Sequence, residues 1–435
     1  MNRYFKKFTG MKDFLLLWLT QTFSSLGSSM TSFALILWSY RQTGSALSTA
    51  LLSVCSYAPY ILMSILAGAL SDRWNKKTVM LVCDALAALG TVIIALLYFL
   101  SALKIWHLYL LNAFSGLMNT VQQPASDVAS TLLTPKERYP QASSLRSFGG
   151  SLVNIITPVC ASALMALAGV EFVFLFDLLT FGTAFFVLLC FIKLPDAGQT
   201  SGTKEPVLKA AKIGLQYLKK EKGIFHLILF LAAINLTASI YNAALPAMVL
   251  TRGGGSETAY GILNTVTGVT LLLGSILASG LPKPKSRIKI ICNTLLVSMS
   301  TENFFLALGQ SLPVWCIGAF LGWIFIPLMN ANLDTVMRSR IPLTLQGRVY
   351  SVRNTFQFFT IPIGYGIGGS LVDHVFEPLM ARQGPGSLLC RLFGSGKGSG
   401  AAFLFLLLGF FGVITCLIFR HDKAILSLEP KSNKE

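Results

Sequence analysis

Twelve apolar stretches divide the sequence, each about 20 residues or longer and nearly free of charge: 14–40, 45–70, 78–101, 105–127, 142–168, 171–193, 224–250, 259–281, 288–308, 313–335, 349–372 and 400–419. A helix rises about 1.5 Å per residue, so about 20 residues cross a hydrocarbon core of about 30 Å. One soluble core cannot absorb so many segments of that length. Only 12% of the 435 residues are charged, against about 25% in soluble domains. In lipid every backbone polar group must be satisfied within the chain, which favours helices. The expectation is an all-α polytopic membrane protein with twelve transmembrane helices.

Charge placement gives an orientation. The chain carries 35 Lys and Arg against 18 Asp and Glu, a net +17. Alternate segments between the apolar stretches, beginning with 1–13, hold 27 of the 35, and the segments on the other side hold six. Positive charge concentrates on cytoplasmic loops, so both termini are expected inside, in the cell membrane, and the charge needs no nucleic-acid partner. The first stretch follows a basic start, as in a signal peptide, but it is longer than a signal core and lacks a small-residue cleavage site. It reads as a retained helix. Seven of the eight Cys lie inside apolar stretches and no C-x-x-C spacing occurs, so neither a disulfide framework nor a metal site is expected.

Residues 194–222 interrupt the stretches at their midpoint. A polar linker, DAGQTSGTKEP, precedes VLKAAKIGLQYLKKEKG, where Val207, Leu208, Ala211, Leu215 and Leu218 share one helical face and Lys209, Lys212, Lys219 and Lys220 point elsewhere. Such a basic amphipathic helix suits the cytoplasmic headgroups. The expected organisation is a six-helix half over 1–193, the linker over 194–222, a second six-helix half over 223–420 and a tail over 421–435. The halves also repeat. PASDVASTLLTPKERYPQASSLRS (124–147) aligns with ANLDTVMRSRIPLTLQGRVYSVRN (331–354) at an offset of 207 residues, which sets Asp127 on Asp334, Pro135 on Pro342, Ser144 on Ser351 and Arg146 on Arg353. Internal repeats of this kind build many secondary transporters, with the substrate held near the midplane.

Between the second and third stretches lies GALSDRWNKK (68–77), which matches G-x-x-x-D-R-x-x-[RK]-[RK] at Gly68, Asp72, Arg73, Lys76 and Lys77. With twelve spans in two halves and a basic central loop, the chain resembles the major facilitator superfamily. TPKERYPQASSL, SFGGSLVNIITP, FDLLTF and IGLQYLKK resemble its macrolide-efflux-like exporter branch. The resemblance implies that Asp72 faces the positive N-terminus of the helix around Gln346–Tyr350 as part of a cytoplasmic gate, a contact of about 0.3–1 kcal/mol. It also implies that Arg73, Lys76 and Lys77 pair with acids of neighbouring spans, Asp84 first among them. The bland alternative is a short loop that needs solubilising charge.

Asp127 and Arg146 lie 19 residues apart across a helical hairpin, as do Asp334 and Arg353. Charges inside spans are rare and usually paired. Two repeat-related locks are expected, with proton or substrate handling and interfacial snorkelling as the alternatives. Asp177 and Glu302 are the other acids within spans. The resemblance makes their spans peripheral, so structural partners are expected for both, with Asp177 the better candidate for proton coupling.

The resemblance also implies that spans 1, 4, 7 and 10 line the path. Polar residues recur there at helical spacing: Gln21, Ser25, Ser28 and Ser32; Asn112, Gly116, Asn119 and Gln123; Asn235, Ser239 and Asn242; then Asn330 and Asn332. Helix packing also uses small and polar residues, but repeated amides point to a cavity, walled by aromatics such as Tyr57, Tyr60, Tyr241 and Trp323. Neutral amides beside aromatics suit a neutral or amphipathic organic molecule. The glycine-rich G-P-x-x-G-G string of proton-coupled exporters is altered to TPVCAS (157–162) in span 5, while span 11 keeps GYGIGG (364–369). That motif therefore assigns neither direction nor coupling.

Residues 373–399 form a long external loop ending GSGKGSG, expected to be flexible; its glycines lack phosphate-loop spacing. No catalytic motif and no cofactor site is recognisable. The sequence is expected to encode a secondary transporter, not an enzyme. It would export a small amphipathic organic compound by alternating access, with protons as coupling ion, the bilayer as surroundings and a monomer as the default. The alternatives are a lipid-like substrate importer or flippase of the same fold, and a non-transporting receptor-like protein.

Overall fold

The computed structural model describes residues 11–194, 207–252, 256–282, 284–384 and 386–429, without the side chains of 64–73, 136, 140, 207–211, 343–344, 346–348 and 351. Every regular element among the described residues is helical. The chain divides into two compact units. The first holds 11–38 and 55–194 of the described residues; the second holds 39–54 and everything from 207 onward.

The first unit is built from α1 (Lys12–Thr43), α2 (Ala46–Arg73), α3 (Lys76–Phe99), α4 (Ile105–Leu132), α5 (Tyr139–Ala168) and α6 (Val170–Cys190), with the C-terminal end of α1 and the N-terminal end of α2 counted in the second. Asn75 starts α3 by accepting from the Lys77 and Thr78 amides, a side-chain N-cap. At the other side of the same turn, Lys77 donates to the carbonyls of Leu189 (2.9 Å) and Ile192 (2.8 Å) at the C-terminus of α6, where a cation is favoured. α3 packs on α4 and α6, burying Leu17, Val79, Met80, Cys83, Ala125, Ala129 and Leu188 in one cluster.

The second unit continues with α7 (Val207–Lys220), α8 (Lys222–Thr251), α9 (Glu257–Gly280), α10 (Arg287–Leu308), α11 (Leu312–Trp323), α12 (Ile326–Arg340), α13 (Leu343–Phe358), α14 (Thr360–Ser370), a π-helical turn (Leu371–Phe376), α15 (Glu377–Ala381), α16 (Leu388–Phe393), α17 (Ser399–Arg420) and α18 (Lys423–Leu426). α10 packs along α17 and α11, and α14 along α8. The amphipathic helix α7 sets Leu218 in this unit's core, with Leu215 and Tyr217 against it. That part of its apolar face meets protein, not headgroups. The expected faces of Leu208, Lys209 and Ala211 lie outside the described side chains.

Nine helical stretches among the described residues are long and apolar enough to cross a membrane, with Leu312–Arg340 taken as one across its break. The other three expected spans are helical but differ for physical reasons. α1 and α4 carry the amide and hydroxyl residues of the polar stripes, which lowers their mean hydropathy. The run from 343 to 381 is divided into α13, α14, the π turn and α15. The tenth expected span is broken too, at Ile324–Phe325, because Pro327 has no N–H to give the Trp323 carbonyl. The expected flexible loop is largely ordered: residues 377–381 and 388–393 are helical, and Gly394, Gly396 and Gly398 take φ of +80°, +99° and +90°, the left-handed region that glycine tolerates.

Candidate functional site

Both units contain pockets, and in each unit one pocket is lined by at least one buried acid. In the first, a cavity of about 230 Å³ is lined by Gln21, Ser25, Ser28, Asn119 and Gln123, as the polar stripes imply, and by two acids, Asp84 and Asp177. Both acids are buried, at 7% and 3% exposure. α1 reaches both. Gln21 Nε2 donates to Asp84 Oδ2 at 3.2 Å, and Gln122 Nε2 donates to Asp84 Oδ1. Further along α1, Ser28 Oγ donates to Asp177 Oδ1 and Thr31 Oγ1 to Oδ2, each at 3.0 Å, and Thr91 Oγ1 of α3 adds a third bond at 3.0 Å. Gly27 permits this approach, since a Cβ there would lie 2.3 Å from Thr180 Oγ1 and 2.9 Å from Asp177 Cα.

Asp84 takes two neutral amides, and of the basic residues expected to pair with it the side chain of Arg73 lies outside the described residues. Lys77 serves the end of α6, and Lys76 Nζ donates to the Trp74 carbonyl at 3.3 Å. The side chains of Gly68, Asp72 and Arg73 lie outside the described residues, as does the side chain of Gln346 in the expected gate helix.

The repeat-related pairs are not alike. Arg146 Nη2 donates to Asp127 Oδ1, with Gln123 Nε2 adding a bond to the same oxygen at 3.3 Å. Both side chains are well exposed, at 37% and 48%. In the second unit Arg353 Nε donates to Gln357 Oε1 at 3.1 Å, and no ion pair with Asp334 is formed among the described residues.

The second unit's pocket, about 240 Å³, is lined by Asn235, Tyr241, Trp323 and Asn330 of the expected stripes, with Met299, Glu302, Asn303, Met329, Arg353 and Gln357. Asn235 Nδ2 is engaged by the Gln357 carbonyl at 3.2 Å. Glu302, 3% exposed, accepts from Trp323 Nε1 at 2.5 Å. Six stripe residues fall outside both linings (Ser32, Asn112, Gly116, Ser239, Asn242 and Asn332), as do the expected wall aromatics Tyr57 and Tyr60; Asn112 turns its amide back to the Leu108 carbonyl, and Asn242 is exposed.

The stripes missed Gln122, Thr31 and Thr91. Gln122 stands one helical turn after Asn119, and that spacing was the signal available for it. Among the groups that sequence reasoning brought forward, the structure joins Gln21 to Asp84, Ser28 to Asp177, and Asp127 to Arg146.

A sequence model of the Major Facilitator Superfamily matches residues 17–365. Macrolide efflux protein A of Streptococcus pyogenes is 21% identical over 366 residues, covering 83% of this chain and 90% of the relative. Enterobactin exporter EntS of Citrobacter koseri (strain ATCC BAA-895 / CDC 4225-83 / SGSC4696) is 24% identical over 291 residues, covering 66% and 67%. Among solved structures, a bacterial homologue of the human lysosomal transporter Spinster, in an inward-facing and unoccupied conformation, superposes with a TM-score of 0.70 at 14% identity over 97% of this chain and 99% of that one. A bacterial homologue of the iron transporter ferroportin, in an inward-facing state, gives 0.67 at 16% identity over 94% and 99%. At these identities the structures speak for the fold alone.

Proposed function

The chain belongs to the Major Facilitator Superfamily, and on that premise we propose that it is a secondary active transporter that exports a small amphipathic organic compound by alternating access, in exchange for protons. The observation that carries this reading is the partnering of Asp177. Its three donors are hydroxyls, from Ser28, Thr31 and Thr91. A hydroxyl donates or accepts, so the same three groups serve a carboxylate and, after rotation, a protonated acid. An acid within a span that can change charge without stranding a cation is suited to carry a proton. Asp84, held by two amides in the same pocket, would sense that change.

The direction is supported by relatives whose names are those of an efflux protein and an exporter. The substrate class is supported by pockets that combine neutral amides with aromatic and thioether surface. In this reading the 68–77 segment gates the cytoplasmic side, with Asp72 the acting carboxylate, and Asp127–Arg146 and Asp334–Arg353 bias the same entrance. The halves run 1–193 and 223–420, joined by 194–222, in the cell membrane with both termini and the 421–435 tail inside; the twelve-span count belongs to the same proposal. The protein performs no enzymatic step.

The test is flux. Purified protein in liposomes should move an amphipathic substrate outward faster under an imposed pH gradient than without one, and Asp177→Asn should remove that acceleration while the protein still folds. Flux that ignores the gradient in the wild-type protein would overturn the coupling.

A further inference from the structure

The second unit's pocket holds two neighbouring buried residues with unused acceptor capacity, Glu302 and Asn303. Glu302 brings a carboxylate with about four acceptor sites, of which Trp323 Nε1 serves one. Beside it, Asn303 is 1% exposed; its amide nitrogen donates to the Met299 carbonyl at 2.8 Å, and its Oδ1 is buried with no partner. Arg353 also lines the pocket, with its Nε engaged by Gln357 Oε1, and among the described residues it makes no hydrogen bond or ion pair with Glu302 or Asn303. The Asn235 amide is likewise committed, to the Gln357 carbonyl. Around these acceptors stand Tyr241, Trp323, Met299 and Met329, surfaces that favour an apolar body and, in the aromatics, a positive charge. The glycine at 322 keeps room for the acid: a Cβ there would lie 2.6 Å from Glu302 Cβ and 3.1 Å from Oε2.

We propose that Glu302, with Asn303 Oδ1, selects a protonated amine on an apolar organic ligand, whose N–H groups supply the missing donors and whose charge offsets the carboxylate. The proposal rests on the transporter reading above only in taking this ligand to be the substrate. A buried acid left unpaired in a span is costly, and a cationic ligand removes that penalty only while it is bound.

Equilibrium binding tests it apart from transport. Phenethylamine, charged at neutral pH, and 2-phenylethanol, its uncharged counterpart, are titrated by saturation-transfer NMR against the full chain in nanodiscs. The wild-type protein should bind the amine at least about tenfold more tightly, the scale of a charged hydrogen bond. Glu302→Gln should abolish the preference and leave the alcohol unchanged. In the wild-type chain the amine should also protect Glu302 from carbodiimide labelling, read by peptide mass spectrometry, so the proposal does not depend on the variant folding. Equal binding of the two probes, absence of binding, an unchanged preference in Glu302→Gln, or labelling that ignores the amine each overturns it. Charge-selective binding without flux would sink the transporter reading alone; flux without charge-selective binding would sink this inference alone.

Discussion

Ser45 donates its hydroxyl hydrogen to Asp373 Oδ2 at 2.6 Å, joining positions 328 residues apart within the second unit. The same carboxylate accepts the first two amides of α2, Ala46 at 2.9 Å and Leu47 at 2.9 Å, and the Ser45 hydroxyl oxygen takes the Ser48 amide at 3.0 Å. The free N–H groups that begin α2 are therefore satisfied by a residue of the π turn. One turn earlier Gly369 allows the approach: a Cβ there would sit 2.5 Å from Leu47 Cα.

An acid that caps a helix from another segment ties the two together. Asp373→Asn keeps the shape but replaces one accepting oxygen with a donor, so one side of the clasp is lost. The expected destabilisation is about 1–2 kcal/mol, the scale of a lost N-cap. Ser45→Ala should then cost less in the Asp373→Asn background than alone, because the two changes remove one shared contact. Thermal unfolding of the four proteins in a cycle checks it. Strictly additive effects would show that Ser45 and Asp373 act apart.

Asp422 offers a test against pH. It lies beyond the last long helix, and burial pushes its carboxyl up. The bond to His226 Nδ1 at 2.7 Å and the amides of Ala424 and Ile425 outweigh that and hold it below the usual carboxylate range. A carboxyl lowered by folding contributes stability that is complete above its unfolded value, about 4, and is lost as pH falls through the folded value. The melting-temperature gap between the wild-type protein and Asp422→Asn should therefore persist from neutral pH down to about 5 and close below about 4. A gap that stays open through the acid range would mean that Asp422 stabilises by packing and not by charge.

Two helical glycines should respond to alanine in opposite senses. At Gly116 of α4 a Cβ would lie 2.2 Å from the Ser56 carbonyl oxygen, a backbone atom of α2 that cannot swing aside. Overpacking of this kind costs about 1–3 kcal/mol. At Gly182 of α6 a Cβ meets nothing within 4 Å, and alanine gains up to about 1 kcal/mol of helix propensity. Melting temperatures of Gly116→Ala and Gly182→Ala should shift down and up. Shifts of the same sign would contradict the close α2–α4 approach.

The helical fold was legible because apolar run length is a strong constraint in lipid. The second compact unit also takes in 39–54, for which the apolar pattern carries no signal. The stripes, read on the spans that the resemblance singles out, name five residues of the first pocket: Gln21, Ser25, Ser28, Asn119 and Gln123. They missed Gln122 because the reading followed Asn119 to Gln123, a step of four, and passed over the step of three. Glu302 was visible as an acid in a span, yet its place in a pocket was not. That place depends on Trp323, 21 residues away, and on the empty side of Gly322, neither of which leaves a periodic trace. The bonds of Asp84 to Gln21 and Gln122 reach 63 and 38 residues along the chain, and no sequence spacing announces them.

The repeat predicts equivalence where the structure shows a difference, and that difference gives the sharpest mutational test. Asp127 and Arg146 form a direct ion pair; Asp334 and Arg353, their counterparts at an offset of 207, form none among the described residues. The first pair is 37% and 48% exposed, so solvent screens it, and a coupling energy of at most about 1 kcal/mol is expected. In a cycle of Asp127→Asn and Arg146→Gln the double variant should be more stable than the sum of the singles implies. In the matching cycle of Asp334→Asn and Arg353→Gln the effects should add to within about 0.3–0.5 kcal/mol, because Arg353→Gln breaks the bond to Gln357 whether or not residue 334 is charged. Chemical unfolding of both cycles at low salt reads this directly, and raising the salt should shrink the first coupling while leaving the second near zero. Equal couplings in the two cycles would restore the symmetry that the repeat suggests and would mean that Asp334 reaches Arg353 as closely as Asp127 reaches Arg146.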